Sequence, residues 1–149
     1  MSLANLSRLE NKEVLITGGC GFIGSEIVRQ LSTIGANVTI IDNLSSGKQE
    51  YIEGIPNVKL INANIVNEDA VKSIVKDKEY IINNAALPFI PDSYYMPKKF
   101  FDVNVNATIN LALAAIKEKK VKRFTHISSS EIYGTAKTIP MDENHVTLP

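Results

Sequence analysis

Val14-Leu15-Ile16-Thr17-Gly18-Gly19-Cys20-Gly21-Phe22-Ile23-Gly24 decides how this chain folds. Val14–Thr17 is a short apolar run of the kind that forms a buried parallel strand. Ile23–Ile34 follows with helical periodicity and stops at Gly35, a favoured helix terminator. The glycines stand between strand and helix. Gly18 permits the sharp turn off the strand, Gly21 leaves no side chain to block a pyrophosphate, and Gly24 lets helix and sheet pack closely. A phosphate here would meet free backbone N–H groups and the positive end of the helix dipole. Gly19-x-Gly21-x-x-Gly24 also satisfies the generic dinucleotide pattern, which is weak alone and depends on its setting. Here the setting is complete: a strand precedes, a helix follows, and an acidic residue lies downstream.

That residue is Asp42, closing Ile40-Ile41-Asp42. A carboxylate there can accept both hydroxyls of an adenosine ribose and would repel a 2′-phosphate. No arginine stands in the following Asn43-Leu44-Ser45-Ser46-Gly47 loop to attract that phosphate. NAD is therefore the expected cofactor, in preference to NADP. The competing reading of Asp42 is a helix or turn cap.

Working outward, further apolar, β-branched runs occur at Val38–Ile41, Val58–Ile61, Tyr80–Ile82 and Val121–Ile127. Helical stretches separate them at Asp69–Lys76 and from Pro97 to about Lys120, with proline tolerated in a first turn. Strand, helix, strand, repeated to about five strands, predicts an α/β fold with a parallel sheet covered on both faces. Right-handed crossovers favour a doubly wound Rossmann order of 3-2-1-4-5. Residues 12–149 read as one such domain, and 1–11 as a leader whose first three residues could come from an expression vector.

Composition narrows the function. The 149 residues carry 16 basic and 16 acidic side chains, so no net field draws the chain to nucleic acid or an acidic membrane. One cysteine, Cys20, excludes an internal disulfide framework and a multi-cysteine zinc site. That usage suits the cytoplasm. No run approaches the roughly 20 apolar residues of a spanning helix, and the start lacks the features of a signal peptide. His126 and His145 have no metal-ligand spacing, so no metal is expected.

The block Thr17–Gly24 resembles the TGGxGFIG fingerprint of the extended short-chain dehydrogenases/reductases, and the resemblance runs almost to the end of the chain. Asp42–Gly47 is similar to the DNLSSG stretch of UDP-glucose 4-epimerases. Asn83-Asn84-Ala85-Ala86 stands where the family has NNAG or HLAA on the fourth strand. Asn104–Thr108 resembles NVxGT on the long helix, and Ser128–Gly134 resembles SSSxVYG after the fifth strand. Two departures are visible. Ala63-Asn64-Ile65 places Asn64 where the family has the aspartate that holds the adenine amino group, and Ala107 replaces a common glycine.

The resemblance implies that NAD is held by Gly18, Gly21, Phe22, Ile23, Gly24, Asp42, Asn43, Ser45, Ser46, Gly47, Asn64, Ile65, Asn84, Ala85, Ala86 and Asn104. It implies a nucleotide-sugar substrate, oxidised by hydride transfer to a transient 4-keto sugar. Ser129, with Ser130 as the neighbouring alternative, would bond to the reacting oxygen, and Glu131 would transfer a proton as in 4,6-dehydratases. The Asn43–Gly47 loop leans towards a 4-epimerase and Glu131 towards a dehydratase, so both stay open. Tyr133 and Lys137 have the Y-x-x-x-K spacing of the family's base, but Gly134 between them argues for a loop. The working pair is expected beyond Pro149, in a protein roughly twice as long, which would leave these 149 residues inactive alone. Family members commonly form a homodimer through the long helix, whose apolar residues occupy more than one narrow stripe. Outside this class stand a non-catalytic NAD-sensing regulator and another extended-family oxidoreductase, such as a hydroxysteroid dehydrogenase.

Overall fold

β1 (Glu13–Thr17) and β2 (Asn37–Asp42) are buried along nearly their whole length, as strands covered on both faces must be. The computed structural model describes residues 7–149; the first six residues of the expected leader lie outside it. The remaining elements are α1 (Phe22–Thr33), β3 (Val58–Asn62), α2 (Glu68–Val75), β4 (Tyr80–Asn83), α3 (Ile90–Tyr95), α4 (Pro97–Phe101), α5 (Ala107–Lys117) and β5 (Arg123–His126). All neighbouring strands are parallel, in the order β3-β2-β1-β4-β5. The expected Rossmann topology is the observed one.

Strand alternation sends side chains to two apolar layers. Leu15, Ile41 and Ile81 pack with residues of α2 and α5, including Val71, Val75 and Leu111. Val14, Ile16, Val38 and Ile40 pack with Val28 and Leu31 of α1. Each fully buried aliphatic side chain stabilises the fold by roughly 1.5–3 kcal/mol. Leu9, within the stretch set aside as leader, packs against the α1 layer.

Local chemistry sets the helix ends. Gly35 takes φ +80° and its N–H bonds to Ser32 O at 2.9 Å, with Ala36 N donating to Leu31 O at 3.0 Å. That left-handed residue closes α1 as a glycine stop should. Asn67 caps α2, its Oδ1 accepting from Asp69 N and Ala70 N at 3.0 Å each.

The long helix differs from expectation. Instead of one run over Pro97–Lys120, α4 passes through a single wide π turn at Asp102–Asn106 into α5, which ends at Lys117. Such turns accommodate an extra residue and concentrate at functional positions; this one carries Asn104. α3 was not expected, because six residues are too few to show a period. β5 starts at Arg123, since Val121 N closes a turn onto Glu118 O. No described helix is long and apolar enough to cross a membrane.

From β1 the chain winds to β2 and β3 on one side, then returns to β4 and β5 on the other. The reversal opens a crevice at the carboxyl ends of β1 and β4, where open α/β sheets bind ligands.

Candidate cofactor site at the carboxyl edge of the sheet

A cavity of about 1440 Å³ occupies that crevice. Its floor begins at the glycine turn. Gly18 takes φ +66°, and a Cβ there would lie 2.9 Å from Ala85 Cα, so both conformation and space demand glycine. Gly21 borders the cavity, and a Cβ on it would meet no protein atom closer than 3.4 Å. The room a side chain would fill is thus left beside the N-terminus of α1. No side chain caps that helix, so its first-turn N–H groups are available to an anion. Phe22, 90% exposed, and Ile23 flank the opening. Gly24 is the exception among the expected cofactor residues. It is buried outside the cavity wall, and a Cβ on it would collide with Gly18 O; its place is in packing the turn.

Asp42 is 8% exposed and ties two loops together. Its Oδ2 accepts from Cys20 N at 2.9 Å and Oδ1 from Leu44 N at 2.8 Å. The turn-cap reading is therefore realised. It does not exhaust the carboxylate, whose two oxygens offer about four acceptor positions on the cavity wall. Cys20 O accepts from Lys48 N at 2.9 Å. A Cβ on Gly47 would approach the Cys20 backbone to 2.8 Å, so the Asn43–Gly47 loop lies directly against the glycine turn. The Cys20 thiol is buried beside this carboxylate; burial first, and Asp42 second, push it up to about 11. It is an inert core side chain.

Asn43, Ser45, Ser46, Gly47, Asn64 and Ile65 form the wall beyond Asp42. Asn43 Oδ1 accepts from Ser45 N at 3.1 Å, and Asn64 Oδ1 accepts from Val66 N at 3.0 Å. Both amides shape turns, and the Asn64 NH₂ has no hydrogen-bond partner among the described residues.

Asn84, Ala85 and Ala86 form the opposite wall. Asn84 Nδ2 donates to Gly18 O at 3.2 Å, joining β4 to the glycine turn. Asn104 also borders the cavity, but its amide is turned on Leu87, accepting from Leu87 N at 2.8 Å and donating to Leu87 O at 3.1 Å. It holds the loop after β4 from the π turn.

Past β5, Ser129 and Glu131 border the cavity, whereas Ser130 does not. Ser129 Oγ accepts from Glu131 N at 3.1 Å, capping a 3-10 turn over Ser130–Tyr133 and leaving its proton free to donate. Tyr133 and Lys137 share no helix: Gly134 between them takes φ +65°. His145 instead packs edge-on against Tyr133 at 5.6 Å. Sequence reasoning missed the wall supplied by α3 and α4, and it missed His126. A lone histidine in a strand carries no signal until its neighbours are known.

The glycine turn, the uncapped helix and the Asp42 carboxylate on the cavity wall form a fitting donor and acceptor set for a dinucleotide. Residues 15–149 match the family model described as GDP-mannose 4,6 dehydratase. The UDP-N-acetyl-alpha-D-glucosaminuronate decarboxylase of Bacillus cytotoxicus is 34% identical over 89% of this chain and 41% of its own length. The solved UDP-N-acetylglucosamine 4-epimerase from Methanobrevibacter ruminantium M1 superposes with a TM-score of 0.85 at 37% identity, covering 94% of this chain and 45% of that one. UDP-glucose-4-epimerase from Stenotrophomonas maltophila, solved with bound NAD and formylated UDP-arabinopyranose, gives 0.83 at 26% identity, covering 92% and 43%. The chain thus spans less than half the length of these relatives. Fold, site geometry and the match over nearly all its residues place the chain in the NAD-dependent nucleotide-sugar epimerase/dehydratase family.

Proposed function

We propose that this chain binds NAD and forms the cofactor-holding part of a nucleotide-sugar epimerase or dehydratase. The observation that carries the reading is the crevice in which Asp42 and the glycine turn, through Gly18, Gly21, Phe22 and Ile23, border one cavity. The first-turn N–H groups of α1 take the pyrophosphate, Asp42 accepts the adenosine ribose hydroxyls and repels a 2′-phosphate, and the Asn84–Ala86 wall lies along the other half. NAD, when bound, reversibly accepts hydride from a sugar carbon.

Ser129 is the residue we assign to the reacting sugar oxygen, as a hydrogen-bond donor. Glu131, on the same wall, is suited to move a proton from a carbon made acidic by an adjacent ketone. That supports a dehydratase or a related reaction alongside the epimerase. A homodimer through α4 and α5 is part of the proposal, supported by an outward stripe of Phe101, Val105, Ile109, Leu113 and Ile116. An exposed apolar patch of that kind marks a contact surface.

Isothermal titration with NAD and NADP tests the cofactor assignment. NAD should bind more tightly, and Asp42→Ala should weaken NAD more than NADP. Equal or tighter NADP binding by the unaltered chain would remove the role given to Asp42.

A further inference from the structure

Side chains at the carboxyl ends of β1, β4 and β5 form one directed hydrogen-bond chain. Thr17 Oγ1 accepts from the backbone N–H of Asn84 at 3.0 Å and of Ala85 at 2.9 Å. Backbone donors cannot be reversed. With both lone pairs of the hydroxyl occupied, its proton goes to Asn83, whose Oδ1 is 2.7 Å away. That fixes which way the Asn83 amide points. Its Nδ2 then donates to Thr108 Oγ1 at 2.9 Å, and Thr108 passes its own proton to Asn104 O at 2.9 Å. The second Nδ2 proton faces His126 Nδ1 at 3.1 Å.

Nδ1 must therefore be a bare acceptor, and the proton of the neutral ring sits on Nε2. Asn83 is 1% exposed, so bulk water does not compete for its amide, while the His126 ring is exposed towards the cavity side. His126 borders the cavity, and its Nε2 has no partner among the described residues.

We propose that Asn83 is a positioning residue that sets His126 in the Nε2–H form, and that His126 donates to an oxygen of the nicotinamide-bearing ribose. The inference rests on the cofactor reading above. With the pyrophosphate at α1 and the adenosine ribose at Asp42 on β2, the second ribose lies towards β4 and β5, where His126 stands.

The test uses protein labelled with ¹⁵N-histidine at pH 8, above the ordinary imidazole range of about 6.5. Long-range proton–nitrogen correlation reads which ring nitrogen is protonated. His126 should carry its proton on Nε2. His145 is the internal contrast: its Nε2 accepts from Lys137 N at 3.0 Å, so its proton belongs on Nδ1, 2.9 Å from Val146 O. Asn83→Asp, which turns an acceptor towards Nδ1, should move the His126 proton to Nδ1.

NAD and ADP-ribose should shift the His126 Nε2 signal, whereas AMP should not. His126→Phe should weaken NAD about fivefold, the value of one net hydrogen bond, and leave AMP unchanged. A free protein with His126 protonated at Nδ1 would overturn the assignment even if Asn83→Asp failed to fold. In a second, uniformly ¹⁵N-labelled sample, NAD that moves the Gly18–Gly24 amides but not the His126 ring would overturn the donor role alone. NAD that moves neither removes the cofactor reading, and the donor role with it.

Discussion

Thr17→Val removes a hydroxyl and keeps the shape of the side chain, so it isolates the junction between β1 and β4. Thr17 is fully buried. Its loss strands three groups: the N–H of Asn84, the N–H of Ala85 and Oδ1 of Asn83. An unsatisfied buried polar group costs about 1–3 kcal/mol. The two half-buried backbone donors belong at the lower end and the buried Asn83 oxygen in the middle. After allowing about 1 kcal/mol for the additional buried methyl, the net loss is about 3 kcal/mol. For a domain of this size that lowers the melting temperature by roughly 10 °C.

Thr17→Ser keeps the hydroxyl and deletes only the methyl, at about 1 kcal/mol. Urea denaturation of both variants reads the two losses directly. NAD titration should show weaker binding for the valine variant, because Asn84 and Ala85 are cavity wall. If valine and serine were equally stable, or if valine lay within 1 kcal/mol of the unaltered chain on this scale, the hydroxyl would not be organising the junction.

The stripe Phe101, Val105, Ile109, Leu113, Ile116 should make the 149-residue chain self-associate. Light scattering over a concentration series should show it and Ile109→Lys with Leu113→Lys should abolish it, while a strictly monomeric unaltered chain would remove that surface from consideration. Because the Cys20 thiol is pushed up to about 11 from an ordinary 9.0, the fold favours its neutral form. That contribution is complete below pH 9 and is lost as pH rises towards 11. Denaturation across that window should show a decline that Cys20→Ala flattens, and a thiol reagent at pH 8 should react with Cys20 only on unfolding. The purified 149 residues should convert no UDP-, dTDP- or GDP-sugar, since Tyr133 and Lys137 are not paired on a helix; a chromatographic assay finding a 4-keto or epimerised product would contradict this. In a catalytically active longer form, Ser129→Ala should slow turnover more than it weakens NAD, and the reverse pattern in kcat and cofactor Kd would reassign Ser129 to binding.

What the sequence determined by itself is local or strictly repetitive. The glycine turn is legible because Gly18 must reach positive φ and Gly24 must admit Gly18 O, and only glycine meets such demands. The sheet order follows from strand–helix alternation and crossover handedness, and Asp42 follows from its place at the end of β2. Tertiary structure alone decided what those rules do not reach. It turned Asn104 onto Leu87 through a π turn, since a one-residue widening inside a helix leaves no periodic trace. It separated Ser129 from Ser130, because a 3-10 turn points neighbours in different directions. It also joined Thr17, Asn83, Thr108 and His126, residues from three strands and a helix. Their hydrogen-bond direction depends on which donors cannot reverse, and that is known only when the partners stand side by side.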